Sequence, residues 1–85
     1  MSEPTYKILV IDDNHGDIRI VQEMLKESQG DQYQIVPAMT LKSGIQNLKE
    51  NHIDLILLDL GLPDSQGMET FQRMQKHTTQ IPIVI

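Results

Sequence analysis

Two short apolar runs in this sequence end in acid: Ile8-Leu9-Val10-Ile11 runs into Asp12-Asp13, and Leu55-Ile56-Leu57-Leu58 runs into Asp59. If the runs are neighbouring parallel strands, their ends lie about 5 Å apart and the carboxylates share one cleft. Like charges held that close raise each other's proton affinity or recruit a cation. Carboxylate oxygens, a backbone carbonyl and water suit the hard, octahedral ion Mg2+ better than zinc or copper. A carboxylate beside Mg2+ can attack a phosphoryl group and form an acyl phosphate, the metal offsetting charge on the transferred oxygens. A strand-end aspartate also caps helices, and for a single Asp that is the commoner explanation. For a doublet and a third aspartate, each at a strand end, the chemical explanation is favoured.

The elements that must position these acids follow from periodicity. The β-branched run at Ile8 to Ile11 is continuous rather than alternating, as expected of a strand buried on both faces of a parallel sheet. Asp17 to Ser28 places Ile18, Val21 and Leu25 at helical spacing with Met24 beside them, Asn14 as N-cap and Gly30 as stop. Gln34-Ile35-Val36 is a weaker strand closed by Pro37, and Thr40 caps a second helix with the stripe Leu41, Ile45 and Leu48. After the strand Leu55 to Leu58, the residues Gly61, Pro63, Asp64, Ser65 and Gly67 mark a loop. Met68, Phe71 and Met74 form a third helical stripe, and Ile81 to Ile85 reads as a fourth strand. Strand and helix alternate throughout, which predicts a parallel sheet with right-handed crossovers and helices on both faces. Functional groups on such sheets gather beyond the carboxyl ends of the strands, at the switch in strand order.

Composition narrows the chemistry further. The chain has 85 residues, enough for one small domain, with 39% hydrophobic and 22% charged residues. Twelve acidic against 7 basic side chains give a formal charge of −5, and the basic residues are scattered, so no patch suited to nucleic acid is expected. No apolar run approaches a membrane span, and Met1-Ser2-Glu3-Pro4 does not read as a signal peptide. The absence of cysteine excludes disulfide and thiolate chemistry and agrees with a cytoplasmic protein. His15, His52 and His77 have no metal-ligand partner at helical spacing and are expected at the surface, His15 beside the acidic cleft. Met24, Met68 and Met74 fall on helix stripes and are expected in the core.

The segments Val10-Ile11-Asp12-Asp13-Asn14 and Asp54-Leu55-Ile56-Leu57-Leu58-Asp59-Leu60-Gly61-Leu62-Pro63, followed by Gly67, resemble the receiver domain of two-component response regulators from about Tyr6 to Ile85. The doublet with strand-Asp-x-x-x-Pro-x-x-x-Gly at this separation is the specific part of that likeness. The resemblance implies an α/β, flavodoxin-like (receiver) fold with strand order 2-1-3-4-5. It implies that Asp59 is the phosphoacceptor, that Asp13 binds Mg2+ directly and Asp12 mainly through water, and that Gly61 supplies a main-chain carbonyl to the metal. The implied partner is a sensor histidine kinase or phosphotransfer protein within a phosphorelay.

The same resemblance marks departures. Leu62 stands where many receivers have Met. The family places a Ser or Thr after the fourth strand and a Lys after the fifth, both beyond Ile85, and Thr78, Thr79 and Lys7 cannot replace them by position. Residues 1–85 are thus expected to form one receiver domain truncated after its fourth strand, with phosphoryl transfer weakened. An exposed apolar fourth strand is expected to favour a homodimer. A second reading is a binding or dimerisation module without a switch. A third, a phosphohydrolase of the haloacid-dehalogenase type, ranks low because Gly61 occupies the place of that family's second aspartate.

Overall fold

The computed structural model describes residues 6–29 and 32–85. Strand β1 spans Tyr6–Ile11, helix α1 His15–Gln29, β2 Tyr33–Ala38, α2 Leu41–Glu50 and β3 Leu55–Leu58. A short hairpin of β4 (Gly61–Leu62) and β5 (Ser65–Gln66) follows, then α3 (Met68–Gln75) and β6 (Ile83–Val84). The main sheet has the order β2-β1-β3-β6 with every pairing parallel, as the alternation of elements predicts.

The central strands are continuous apolar runs because both of their faces are covered. Leu9, Ile11, Ile56 and Leu58 point to one side and pack with Leu41 of α2 and Met74 of α3. Ile8, Val10, Leu55 and Leu57 point to the other, where Ile18, Val21 and Leu25 of α1 meet them. Leu9, Ile11 and Ile56 have 0% exposure, and each such side chain contributes about 1.5–3 kcal/mol of apolar burial. Gly44 on α2 lies so near β1 that an added Cβ would stand 2.5 Å from Ile11 Cδ1 and 2.9 Å from its Cγ1.

Several boundaries differ from the periodicity reading, each for a physical reason. Helix α1 starts at His15, two residues before the apolar stripe read from Asp17, because the expected cap Asn14 acts at once, its Oδ1 accepting the Gly16 N–H at 2.8 Å and the Asp17 N–H at 3.3 Å. The expected stop at Gly30 lies outside the described residues. Strand β2 runs through Pro37 instead of closing there. The Ala38 carbonyl accepts the Asp12 N–H at 2.9 Å, so the alternate residue Pro37 turns its nitrogen outward on an edge strand, where no ladder bond is lost. Strand β6 is shorter than Ile81 to Ile85: the Ile81 N–H donates to Thr78 Oγ1 at 3.3 Å, and pairing begins at the Pro82 carbonyl, which accepts the Ile56 N–H at 3.0 Å.

Of the three methionines expected in the core, Met74 is fully buried, whereas Met24 is 63% and Met68 55% exposed. On α3 the buried face runs through Thr70 and Met74, and the Thr70 hydroxyl is satisfied by Ser65 Oγ at 2.9 Å. On α1 the stripe Ile18, Val21 and Leu25 suffices to cover the sheet, and Met24 sits beyond its margin.

At the amino end of the sheet, Asp54 Oδ2 accepts the Lys7 N–H at 2.8 Å, its own N–H donates to the Lys7 carbonyl at 2.8 Å, and Oδ1 lies 3.0 Å from His52 Nε2. The Lys7 N–H, aided by His52, holds the Asp54 carboxyl below the ordinary value of 3.8. A carboxyl whose folded pKa is depressed contributes stability above its unfolded pKa and loses it as pH falls through the folded value.

Two outcomes follow. Gly44→Ala forces Ile11 to move inside a packed core, and chemical denaturation should show a loss of about 1–3 kcal/mol. Asp54→Asn should melt below the parent at neutral pH, with the gap narrowing as pH is taken below 3.8, as read by thermal unfolding across an acid series.

Candidate functional site

The register of β1 on β3 pairs Ile11 with Leu58, so the next residue of each strand, Asp12 and Asp59, emerges side by side. The Asp12 N–H donates to the Ala38 carbonyl and the Asp59 N–H to the Ile11 carbonyl, both at 2.9 Å, extending the ladder by one residue beyond the strands. Beyond that point the chain turns away, and each aspartate side chain receives a main-chain donor two residues on. The Asn14 N–H donates to Asp12 Oδ1 at 2.9 Å, and the Gly61 N–H to Asp59 Oδ1 at 3.0 Å. No described residue donates to Asp59 Oδ2, which leaves that oxygen available for chemistry.

Asp12, Asp13 and Asp59 each offer a carboxylate oxygen within 4.8 Å of the others. Asp12 and Asp59 are half-buried and Asp13 is exposed. Beside them runs a cleft of about 500 Å³ whose walls include Val10, Leu57, Asp12, Asp17 and Asp59. Partial burial raises the Asp12 pKa above 3.8; the Asn14 N–H opposes this, while the charges of Asp59, Asp17 and Asp13 reinforce it. All the donors are hard oxygens, and no histidine or sulfur ligand stands among them.

Asp17 was not singled out from the sequence, yet it lines the cleft and adds to the negative potential at Asp12. Its signal was its place in the first turn of a helix that starts directly after the acidic doublet. His15, expected beside the acidic cleft, opens α1 and lines a separate groove with Arg19 and Thr40. His52 and His77 are exposed. Gly61, Pro63, Asp64 and Ser65, read from sequence as loop, form the β4–β5 hairpin, and Gly67 starts α3 at φ 66°, a left-handed value suited to glycine.

Residues 8–85 match the sequence profile of the response regulator receiver domain. The transcriptional regulatory protein BasR of Escherichia coli K12 is 30% identical over 93% of this chain and 34% of its own length. Among solved structures, the non-phosphorylated HemR receiver domain of Leptospira biflexa is 31% identical with a TM-score of 0.70, over 93% of this chain and 61% of that one. The response regulator TrrA, solved in complex with the histidine kinase ThkA, is 25% identical with a TM-score of 0.78, over 93% of this chain and 66% of that one. The chain therefore belongs to the response regulator receiver domain family of two-component systems. It spans about a third of the length of BasR. Among the described residues, no helix is long and apolar enough to cross a membrane.

Because Asp59 is one of the charges raising the Asp12 pKa, Asp59→Asn should lower it. Carboxyl-carbon NMR titration of Asp12 in both proteins checks this, and an unchanged midpoint would show that the two groups do not interact.

Proposed function

We propose that Asp59 accepts a phosphoryl group from a phosphohistidine of a sensor histidine kinase or phosphotransfer protein, in a Mg2+-dependent step of a phosphorelay. The observation that carries this reading is the cluster of Asp12, Asp13 and Asp59, whose carboxylate oxygens lie within 4.8 Å of one another at the ends of adjacent strands. Ligands about 2.1 Å from an octahedral Mg2+ stand at most about 4 Å apart, so small side-chain rotations fit the cluster to that ion. Asp13 and Asp59 would hold the metal directly, Asp12 through water, and Gly61 through its main-chain carbonyl. When bound, Mg2+ supplies positive charge against the transferred oxygens.

The chain's own residues do the rest. The Gly61 N–H engages Asp59 Oδ1 at 3.0 Å, and Oδ2 is the oxygen left to act as the nucleophile. Oδ2 attacks the phosphorus, a carboxylate O–P bond forms, and the P–N bond of the phosphohistidine breaks with its electron pair leaving on the imidazole nitrogen. The half-buried position of Asp59 limits its solvation and so favours its reactivity as a nucleophile. The solved complex of TrrA with ThkA supports a histidine kinase as the class of partner.

Incubation with Mg2+ and acetyl phosphate should add the mass of one phosphoryl group, mapped to Asp59 by peptide mass spectrometry. Asp59→Asn and removal of Mg2+ by a chelator should each abolish the adduct, and Asp13→Asn should raise the Mg2+ concentration required by about tenfold or more. Equal labelling of Asp59→Asn would overturn the assignment.

A further inference from the structure

The N-terminus of α2 presents free main-chain N–H groups at Leu41, Lys42 and Ser43, since Gly44 is the first to reach back to a helical carbonyl, that of Thr40 at 3.0 Å. Ser43 N–H is taken by the adjacent Thr40 Oγ1 at 3.0 Å, an ordinary local cap. The other two are taken from far along the chain. Asp64 Oδ1 accepts the Leu41 N–H at 2.8 Å and Oδ2 accepts the Lys42 N–H at 2.9 Å. Asp64 stands at the tip of the β4–β5 hairpin, whose first residue is Gly61 and whose register pairs Gly61 with Gln66 and Leu62 with Ser65.

Both carboxylate oxygens are therefore committed to one helix end, where the positive pole of the helix favours a negative charge. Partial burial acts to raise the Asp64 pKa, and the Leu41, Lys42 and Asp64 N–H groups together with the charge of Arg73 outweigh it and hold the pKa below 3.8. A second tie joins the tip to α3, because Arg73 Nη1 donates to the Asp64 carbonyl at 3.2 Å. At the base of the hairpin the Gly67 N–H donates to the Leu60 carbonyl at 2.7 Å. Two-residue strands joined by a two-residue turn have little stability of their own. Leu62 and Ser65 are buried, and Ser65 Oγ accepts the Thr70 hydroxyl at 2.9 Å, so the hairpin is anchored on the α3 side while Asp64 supplies its side-chain tie to α2.

We infer that Asp64 is a positioning residue: by clamping the hairpin tip to the first turn of α2, it orients the Gly61 main chain beside Asp59. The inference deepens the metal-binding reading of Gly61 and rests on it for its functional consequence. It makes α2, which contributes no residue to the acidic cluster, part of the support of that cluster.

Metal-free amide NMR spectra, amide hydrogen exchange and Mg2+ titration of the parent, Asp64→Ala, Asp64→Asn and Thr40→Ala test it. Asp64→Ala should shift the Gly61 and Leu62 amide signals, speed exchange at Leu41 and Lys42, and weaken Mg2+ binding by about tenfold. Asp64→Asn, able to accept only one of the two N–H groups well, should fall between, and serves in place of Asp64→Ala if that variant does not fold. Thr40→Ala removes a cap from the same helix and should lower the melting temperature, while leaving the Gly61 and Leu62 signals and Mg2+ affinity unchanged. Parent-like Gly61 and Leu62 signals in both Asp64 variants, or equal effects of Thr40→Ala, would overturn the inference. If the parent itself bound no Mg2+, the metal reading of Gly61 would fail, and the metal-free signals would still decide whether Asp64 orients the hairpin.

Discussion

The parallel pairing of β1 with β3 is the constraint on which the rest depends. Leu9 opposes Ile56 and Ile11 opposes Leu58, and all four are buried. A two-sided apolar layer of this kind excludes charge from the middle of the strands, so polar chemistry can appear only at their ends. At the amino end the result is a compact set of satisfied contacts between Lys7 and Asp54. At the carboxyl end the result is the opposite: adjacent strands deliver aspartates into one place, with main-chain donors to Asp12 Oδ1 and Asp59 Oδ1 and, among the described residues, none to their other oxygens.

These two ends illustrate how the same residue type takes different roles. Asp54 is held below the ordinary carboxylate value, chiefly by the Lys7 N–H, and acts as a fastener. Asp12 is held above it by burial and by neighbouring acids, because the fold brings like charges together. Acids that repel one another and retain free oxygens are poorly placed to stabilise a sheet and well placed to recruit a cation. Asp64 resembles Asp54 in that both of its oxygens have partners, here the Leu41 and Lys42 N–H groups, although it sits within the segment that carries the candidate site.

Much of this was legible in the residues. Apolar runs of four residues bounded by acids mark buried parallel strands, and the helical stripes of Ile18, Val21 and Leu25 and of Leu41, Ile45 and Leu48 pack as periodicity predicts. Local caps were legible too, because Asn14 and Thr40 act on N–H groups within three residues. The acidic cluster was legible because strand order in an alternating α/β chain follows from few rules. Met74 lies in the core as expected, whereas Met24 and Met68 were misplaced because they share a helical spacing with core residues, and spacing alone does not say how wide a face the sheet requires.

The sequence by itself thus determined what local chemistry dictates: which runs are strands, where helices start, and that Asp12, Asp13 and Asp59 stand at strand ends. Only the tertiary structure decided what depends on contacts between distant segments. The approach of Gly44 to Ile11, the outward turn of Pro37 on an edge strand, the reach of Asp17 into the acidic cleft and the bond of Asp64 to α2 all belong to this second kind. Periodicity describes how one segment partitions between apolar core and water, and holds no information on which partner a polar side chain meets once the segments are packed. Asp64, a turn residue by its neighbours and a helix cap by its contacts, shows that difference within a single side chain.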